Sequence, residues 1–300
     1  MGWREGLCGG ALWVMLAGSL AGCVEESEPE PAAEAPSEEV GACGVDAEAV
    51  AVVTKLRFAR EEPQGVSVGL DLDGIDSDNR DARGCFQEDM VDAQGNTGID
   101  NQFARLMPSI EAVGGEAIEG LVQGAINSGE LLIIVKMAHV DDLEEDSCVD
   151  VSLMHGEGSP EVGTRGLIES GQTFDVDHEV PTATIEGVAI EGGVISAGLF
   201  EFQLPIQIFE FELELTIRKA TARFEIAEDG SLSGFISGAI LVQEIVDLSK
   251  QVEMGGGEVA RLVPVVVKAN ADLAPNEEGE CQEISVAMVF EATPAFLFED

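Results

Sequence analysis

Between Phe209 and Leu215 the chain alternates strictly. Phe209, Phe211, Leu213 and Leu215 occupy the odd positions, and Glu210, Glu212 and Glu214 the even ones. A period of two turns one set of side chains to each face of a strand, so this block predicts a β-strand with one face in a core and the other in water. Phe200, Phe202 and Leu204 repeat the pattern just upstream. Ala222–Ala227 and Ser231–Ile236, joined by Glu228-Asp229-Gly230, read as a hairpin with a glycine-containing turn. Further strands are expected over Val50–Ala59, Val66–Leu72, Leu131–Val135, Cys148–Met154 and Glu283–Ala292.

Helical periodicity is sparser. Asp100 suits the N-cap of a helix running through Phe103, Leu106 and Ile110, which Pro108 would disturb. Gly114-Gly115 separates it from a clearer helix over Glu116–Ser128, closed by Gly129 as a C-cap glycine. A third helix is expected over Ala239–Gln251, ending near Gly255-Gly256-Gly257, while 258–274 is ambiguous because of Pro264. Strands in succession with a few helices inserted predict an α+β fold, β-rich, with an extensive antiparallel sheet. It would occupy residues 42–300 as one globular domain or as two packed halves, about 42–180 and 181–300.

Charge narrows the function classes. The 300 residues hold 58 acidic against 15 basic side chains, a formal charge of −43. A nucleic-acid partner needs clustered Lys and Arg, so that class is excluded, and docking on anionic lipid through a polybasic face is disfavoured. The 45% hydrophobic content excludes disorder along the whole chain.

The N-terminus reads as a targeting segment. Arg4 precedes an apolar stretch from Leu7 to Leu20, short of the ~20 residues that span a bilayer and typical of a signal peptide. It ends Leu20-Ala21-Gly22-Cys23, which resembles the lipobox of bacterial lipoproteins. The resemblance implies that residues 1–22 are removed and that Cys23 becomes the first mature residue and the lipid anchor. It also implies that Val24, which is not a retention Asp, sends the protein to the outer membrane, on its periplasmic or its surface face. Two or three acyl chains make a stable anchor. Residues 23–41 follow as an acidic tether: Val24–Gly41 holds seven Glu, three Pro and no basic residue. Such a segment buries too little apolar surface to fold, and as a coil it would span roughly 25 Å.

Trp3 and Trp13 both lie in the leader and the chain has no Tyr, so the mature protein would carry Phe as its one aromatic type. That disfavours sugar- or base-stacking platforms, which use rings with a polar handle. Apart from Cys8 and Cys23, four cysteines remain: Cys43, Cys85, Cys148 and Cys281. An exported chain with an even number predicts two disulfides, in any of three pairings.

One constellation suggests chemistry. Asp71 and Asp73 flank Leu72 at the end of an expected strand; Asp76 and Asp78 repeat the spacing, and Asp81, Asp89, Asp92, Asp100 and Asn101 follow. Crowded carboxylates repel one another, and Ca²⁺, with its six to eight oxygen ligands, relieves the repulsion. The EF-hand pattern fails, since Ile75 and Asp76 stand where it needs an oxygen ligand and a glycine. The metal-ligand candidates are therefore Asp71, Asp73, Asp76, Asp78, Asp100 and Asn101 in a site of another kind, with a solvated acidic loop as the plain alternative. Gly69-Leu70-Asp71-Leu72-Asp73-Gly74, Gly98-Ile99-Asp100-Asn101-Gln102, Ala125-Ile126-Asn127-Ser128-Gly129-Glu130-Leu131-Leu132, and Ala271-Asp272-Leu273 leading to Gly279-Glu280-Cys281, a strand and Pro294-Ala295 together resemble uncharacterised secreted lipoproteins of myxobacteria. That resemblance implies no activity. It implies that Asp71, Asp73, Asp100 and Asn101 share one site, with 75–97 an insertion carrying Cys85.

Enzyme signatures are missing. His139, His155 and His178 have no ligand spacing, and neither H-E-x-x-H nor G-x-S-x-G occurs. The reading is a lipid-anchored envelope protein, a non-catalytic binding or structural module with a Ca²⁺-stabilised acidic loop and a protein or small-molecule partner of unknown kind. A hydrolase using carboxylates or His155, and an adhesion or assembly subunit, stand as alternatives.

Overall fold

The computed structural model describes residues 43–298 except 45–46, 111–115, 209–210 and 255–261. The leader, Cys23 and the acidic tether lie outside the described residues, as do Gly114-Gly115 and Gly255-Gly256-Gly257. Residues 42–300 form one compact unit.

The elements run β1 (Glu48–Phe58), α1 (Gln102–Ile110), α2 (Glu116–Ser128), β2 (Leu132–Ala138), β3 (Glu145–Glu157), β4 (Thr173–Val176), β5 (Ala183–Glu191), β6 (Val194–Ile208), β7 (Phe211–Ile226), β8 (Leu232–Leu241), α3 (Val242–Met254), α4 (Val263–Ala269), β9 (Leu273–Pro275), β10 (Cys281–Pro294) and β11 (Phe296–Leu297). Among the described residues the sheet order is β3-β2-β1-β10-β8-β7-β6-β5, and β5 pairs back onto β3. The antiparallel sheet anticipated from the alternation thus closes into an eight-stranded barrel. β1 with β10 and β3 with β5 join strands from before residue 180 to strands after it.

Eight strands enclose a lumen that side chains can fill. Val53, Val135, Val151, Ile217, Phe224, Ile236 and Phe290 are all buried in one core, with Phe224 and Phe290 edge to face at 6.0 Å. Gly234 sits beneath that pair, because a Cβ there would lie 2.5 Å from the Phe224 backbone. The β7–β8 hairpin forms as predicted, with Ala227 N donating to Ser231 O and Asp229 Oδ1 accepting from Ser231 N.

Two disulfides settle the pairing that spacing left open: Cys43–Cys148 and Cys85–Cys281, with Cα separations of 5.2 and 6.0 Å. Several boundaries differ from expectation. Val66–Leu72 is not a strand: among the described residues its pairing is limited to the isolated bridges Val66–Val91 and Leu70–Asp100. The helix expected from Ala239 starts at Val242, since Ala239, Ile240 and Leu241 pair with Ser285, Ile284 and Glu283 of β10. Pro108 lies inside α1 near its end. The ambiguous stretch is helical over α4 and then extended over β9. Among the described residues, no helix is long and apolar enough to cross a membrane.

Candidate metal centre

The site lies where β1 stops and β10 continues. The β1–β10 ladder ends at Phe58–Met288, with Ala59 N donating to Ala287 O. Beyond it, the β10 amides must find other acceptors, because a buried N–H without a partner is costly. Side chains supply them: Ala287 N donates to Asn101 Oδ1 at 3.1 Å, and Ser285 N donates to Asp272 Oδ1 at 2.8 Å. The Ser285 hydroxyl donates to Asp272 Oδ2 at 2.5 Å and accepts from Gln102 N, the first amide of α1, at 2.7 Å. The helix start is therefore held by Ser285. Asp100, expected to cap it, instead turns its Oδ2 to Leu72 N at 2.6 Å.

That turn brings Asp100 to Asp71 and Asp73. One carboxylate oxygen from each of the three lies within 4.8 Å of the other two, with Asp71 and Asp73 exposed and Asp100 buried. Asp71 and Asp73 converge by a different route from the strand alternation anticipated. Asp71 Oδ1 accepts from Gly74 N at 2.6 Å, and Asp73 Oδ1 accepts from Ile75 N at 2.9 Å. These are short side-chain-to-backbone turns, for which Asp and Asn are the usual residues. Gly74 has φ +77°, a conformation that favours glycine.

The other candidates separate. Asn101, 0% exposed, is committed elsewhere: its Nδ2 donates to Ser67 Oγ and Val68 O while its Oδ1 serves β10. Asp78 is exposed and holds Arg80 N, so it lies outside the cluster of three. Asp76 is exposed and acts on the centre through its charge on Asp89.

Asp89 and Asp272, outside the sequence-derived ligand candidates and outside the cluster of three, act on Asp100 through their charges. Asp89 Oδ2 accepts from Ser77 N at 2.6 Å. Burial pushes Asp89 up to about 6, partly offset by the Ser77 amide and reinforced by the charges of Asp73, Asp76 and Asp71. Burial likewise pushes Asp272 up to about 7 against its Ser285 hydrogen bonds, with Asp89 adding to the rise. Asp100 is pushed up to about 8, by burial first; the Leu72 amide opposes the shift, and the charges of Asp272, Asp89 and Asp73 reinforce it. Asp73 is also raised, by partial desolvation and by Asp71, with Arg83 pulling it down. Arg83 itself is bound to Asp81 at 2.5 Å. Asp73, Asp89, Asp100 and Asp272 thus share one electrostatic neighbourhood in which negative charge disfavours further ionisation. A sequence signal for Asp272 existed, an acid set between the buried apolar residues Ala271 and Leu273.

His155 stacks on Phe202 with ring centroids 5.9 Å apart, and neither residue belongs to this cluster. Chemically, the cluster offers hard, anionic oxygens on short turns, the donor set that suits a divalent cation such as Ca²⁺. Comparison with known protein families, with curated proteins and with solved structures returned no match.

Proposed function

We propose that this chain is a lipid-anchored protein of the cell envelope, held by Cys23 at the outer membrane. Its barrel serves as a non-catalytic binding or structural module, and Ca²⁺ bound by Asp71, Asp73 and Asp100 closes the 71–100 loop at its base. The observation that carries the metal reading is the convergence of those three carboxylates within 4.8 Å, with half-buried Asp89 and buried Asp272 acting on Asp100 through their charges. A cation would relieve their repulsion and join two stretches 27 residues apart, Asp73 to Asp100, much as a cross-link does. The anchor rests on Leu20-Ala21-Gly22-Cys23 and on the two disulfides, which belong to oxidising compartments.

Thermal melts of the full chain in Ca²⁺ and in EGTA test the metal. Ca²⁺ is expected to raise the Tm by several degrees, as binding to the folded state must, and Asp73→Ala to abolish the rise. Identical melts would exclude it. Intact mass tests the anchor: acylated Cys23 as the first residue is expected, and an unmodified thiol with the leader attached would contradict it. Mature protein should also absorb almost nothing at 280 nm.

A further inference from the structure

A second site lies away from the carboxylates, against the face of β1, β2 and β3 that carries Val50, Lys136 and Met154. These residues share that face through the pairs Val50–Lys136, Lys136–Ser152 and Ile134–Met154. β4 also lines this site, together with the terminal segment that follows β10 and leaves β1 where Ala295 N donates to Val50 O at 2.9 Å. Phe296 N donates to Gln172 O at 2.8 Å and Phe298 N to Phe174 O at 3.0 Å, so 294–298 runs extended beside β4. Together these residues line a cleft of about 1070 Å³.

Two features of the cleft need a reason. Phe296 and Phe298 both line it and are 60% and 61% exposed. Two apart on an extended segment, they present their rings on the same side. A neighbouring pair of open Phe rings is uncommon on a soluble surface and marks contact with something apolar. The charges around them are unequal: Glu48 and Asp175 line the cleft, and its one ammonium, Lys136, is ion-paired with Glu48. Asp175 and His178 both line the cleft and are exposed.

We propose that this cleft binds an organic cation with an apolar body, such as a quaternary or alkyl ammonium compound. Aromatic faces attract cations through their quadrupole, and weakly hydrated organic cations gain most because they lose little hydration on contact. Asp175 supplies the counter-charge, and the field of a −43 chain repels anionic ligands of the same shape. A hydrated metal ion would find no oxygen cage against the rings, which separates this site from the carboxylate cluster.

The probe is benzyltrimethylammonium, titrated by calorimetry into the full chain with Ca²⁺ present and again with EGTA. Phenylacetate and benzyl alcohol serve as anionic and neutral comparators. Saturable binding of the cation alone is expected, unchanged by EGTA. The double variant Phe296→Ala/Phe298→Ala should weaken it about tenfold or more, Asp175→Asn severalfold, and Phe86→Ala, an exposed ring elsewhere, not at all. Equal binding of phenylacetate, retention of affinity in the double variant at unchanged Tm, or no saturable binding at millimolar probe would overturn the proposal.

Discussion

The barrel and the segment laid against it, residues 59–101, are held by different physics. In the barrel, ladders close on themselves and the lumen is packed with Val, Ile, Leu and Phe. Every strand is then supported by two neighbours and by apolar burial worth ~25 cal/mol per Å². The 59–101 segment has isolated bridges, Met90 and Ile99 in a small cluster with Ala104 of α1, one disulfide, and side-chain hydrogen bonds that reach β10. It also brings carboxylates together. The contrast teaches that one polypeptide can hold an apolar core beside a region whose buried acids tie its stability to pH and, on the function proposed above, to a cation.

The largest expected effect lies in the barrel. Phe224→Ala, at a 2% exposed position in contact with Phe290, should cost about 3–5 kcal/mol by denaturant melts, equally in Ca²⁺ and EGTA. A cost that depended on Ca²⁺ would erase the distinction between the two regions. Next comes Asn101→Leu, which strips partners from Ser67, Val68 and the Ala287 amide and should cost about 1–3 kcal/mol for the buried groups left unsatisfied. Its effect should be greatest on amide protection in 59–101.

A smaller and graded effect is expected from pH. In the folded protein Asp100, Asp272 and Asp89 titrate at about 8, 7 and 6, above the ordinary 3.8, so the folded state binds more protons than the unfolded one. Their contribution is fully present below that ordinary value and is lost as pH rises through 6 to 8, so the Ca²⁺-free protein should lose stability across this range. Ca²⁺ needs the ionised carboxylates, so its affinity should rise over the same interval. Stability in EGTA that is flat from pH 5 to 9 would contradict the buried-acid account. The smallest effect is Lys55→Ala, which breaks an exposed pair with Glu291 and should change stability by less than about 1 kcal/mol.

What the sequence made legible follows the same division. The alternation through Leu213 and Leu215, the Glu228-Asp229-Gly230 turn and the helix over Glu116–Ser128 are local patterns, and each marks an element of the fold. Closure was not legible, because it depends on the β3–β5 pairing, and nothing near Val151 or Ile185 names its partner. The disulfide pairing was hidden for the same reason, since the half-cystines lie 105 and 196 residues apart. At the site, Asp71, Asp73 and Asp100 stood out as acids near glycine turns. The task of Asn101 in completing the β10 ladder is not legible in the sequence, because it is set by where β1 ends. Asp272 was passed over because it sits outside the acidic loop.

Hydrogen exchange of the full chain at neutral pH, with Ca²⁺ and with EGTA, tests the cation clip most directly. The account predicts that amides between Val66 and Asn101 exchange markedly faster in EGTA while β2, β8 and β10 stay unchanged. Exchange that is identical with and without Ca²⁺ throughout 66–101, or a change confined to the barrel strands, would contradict it.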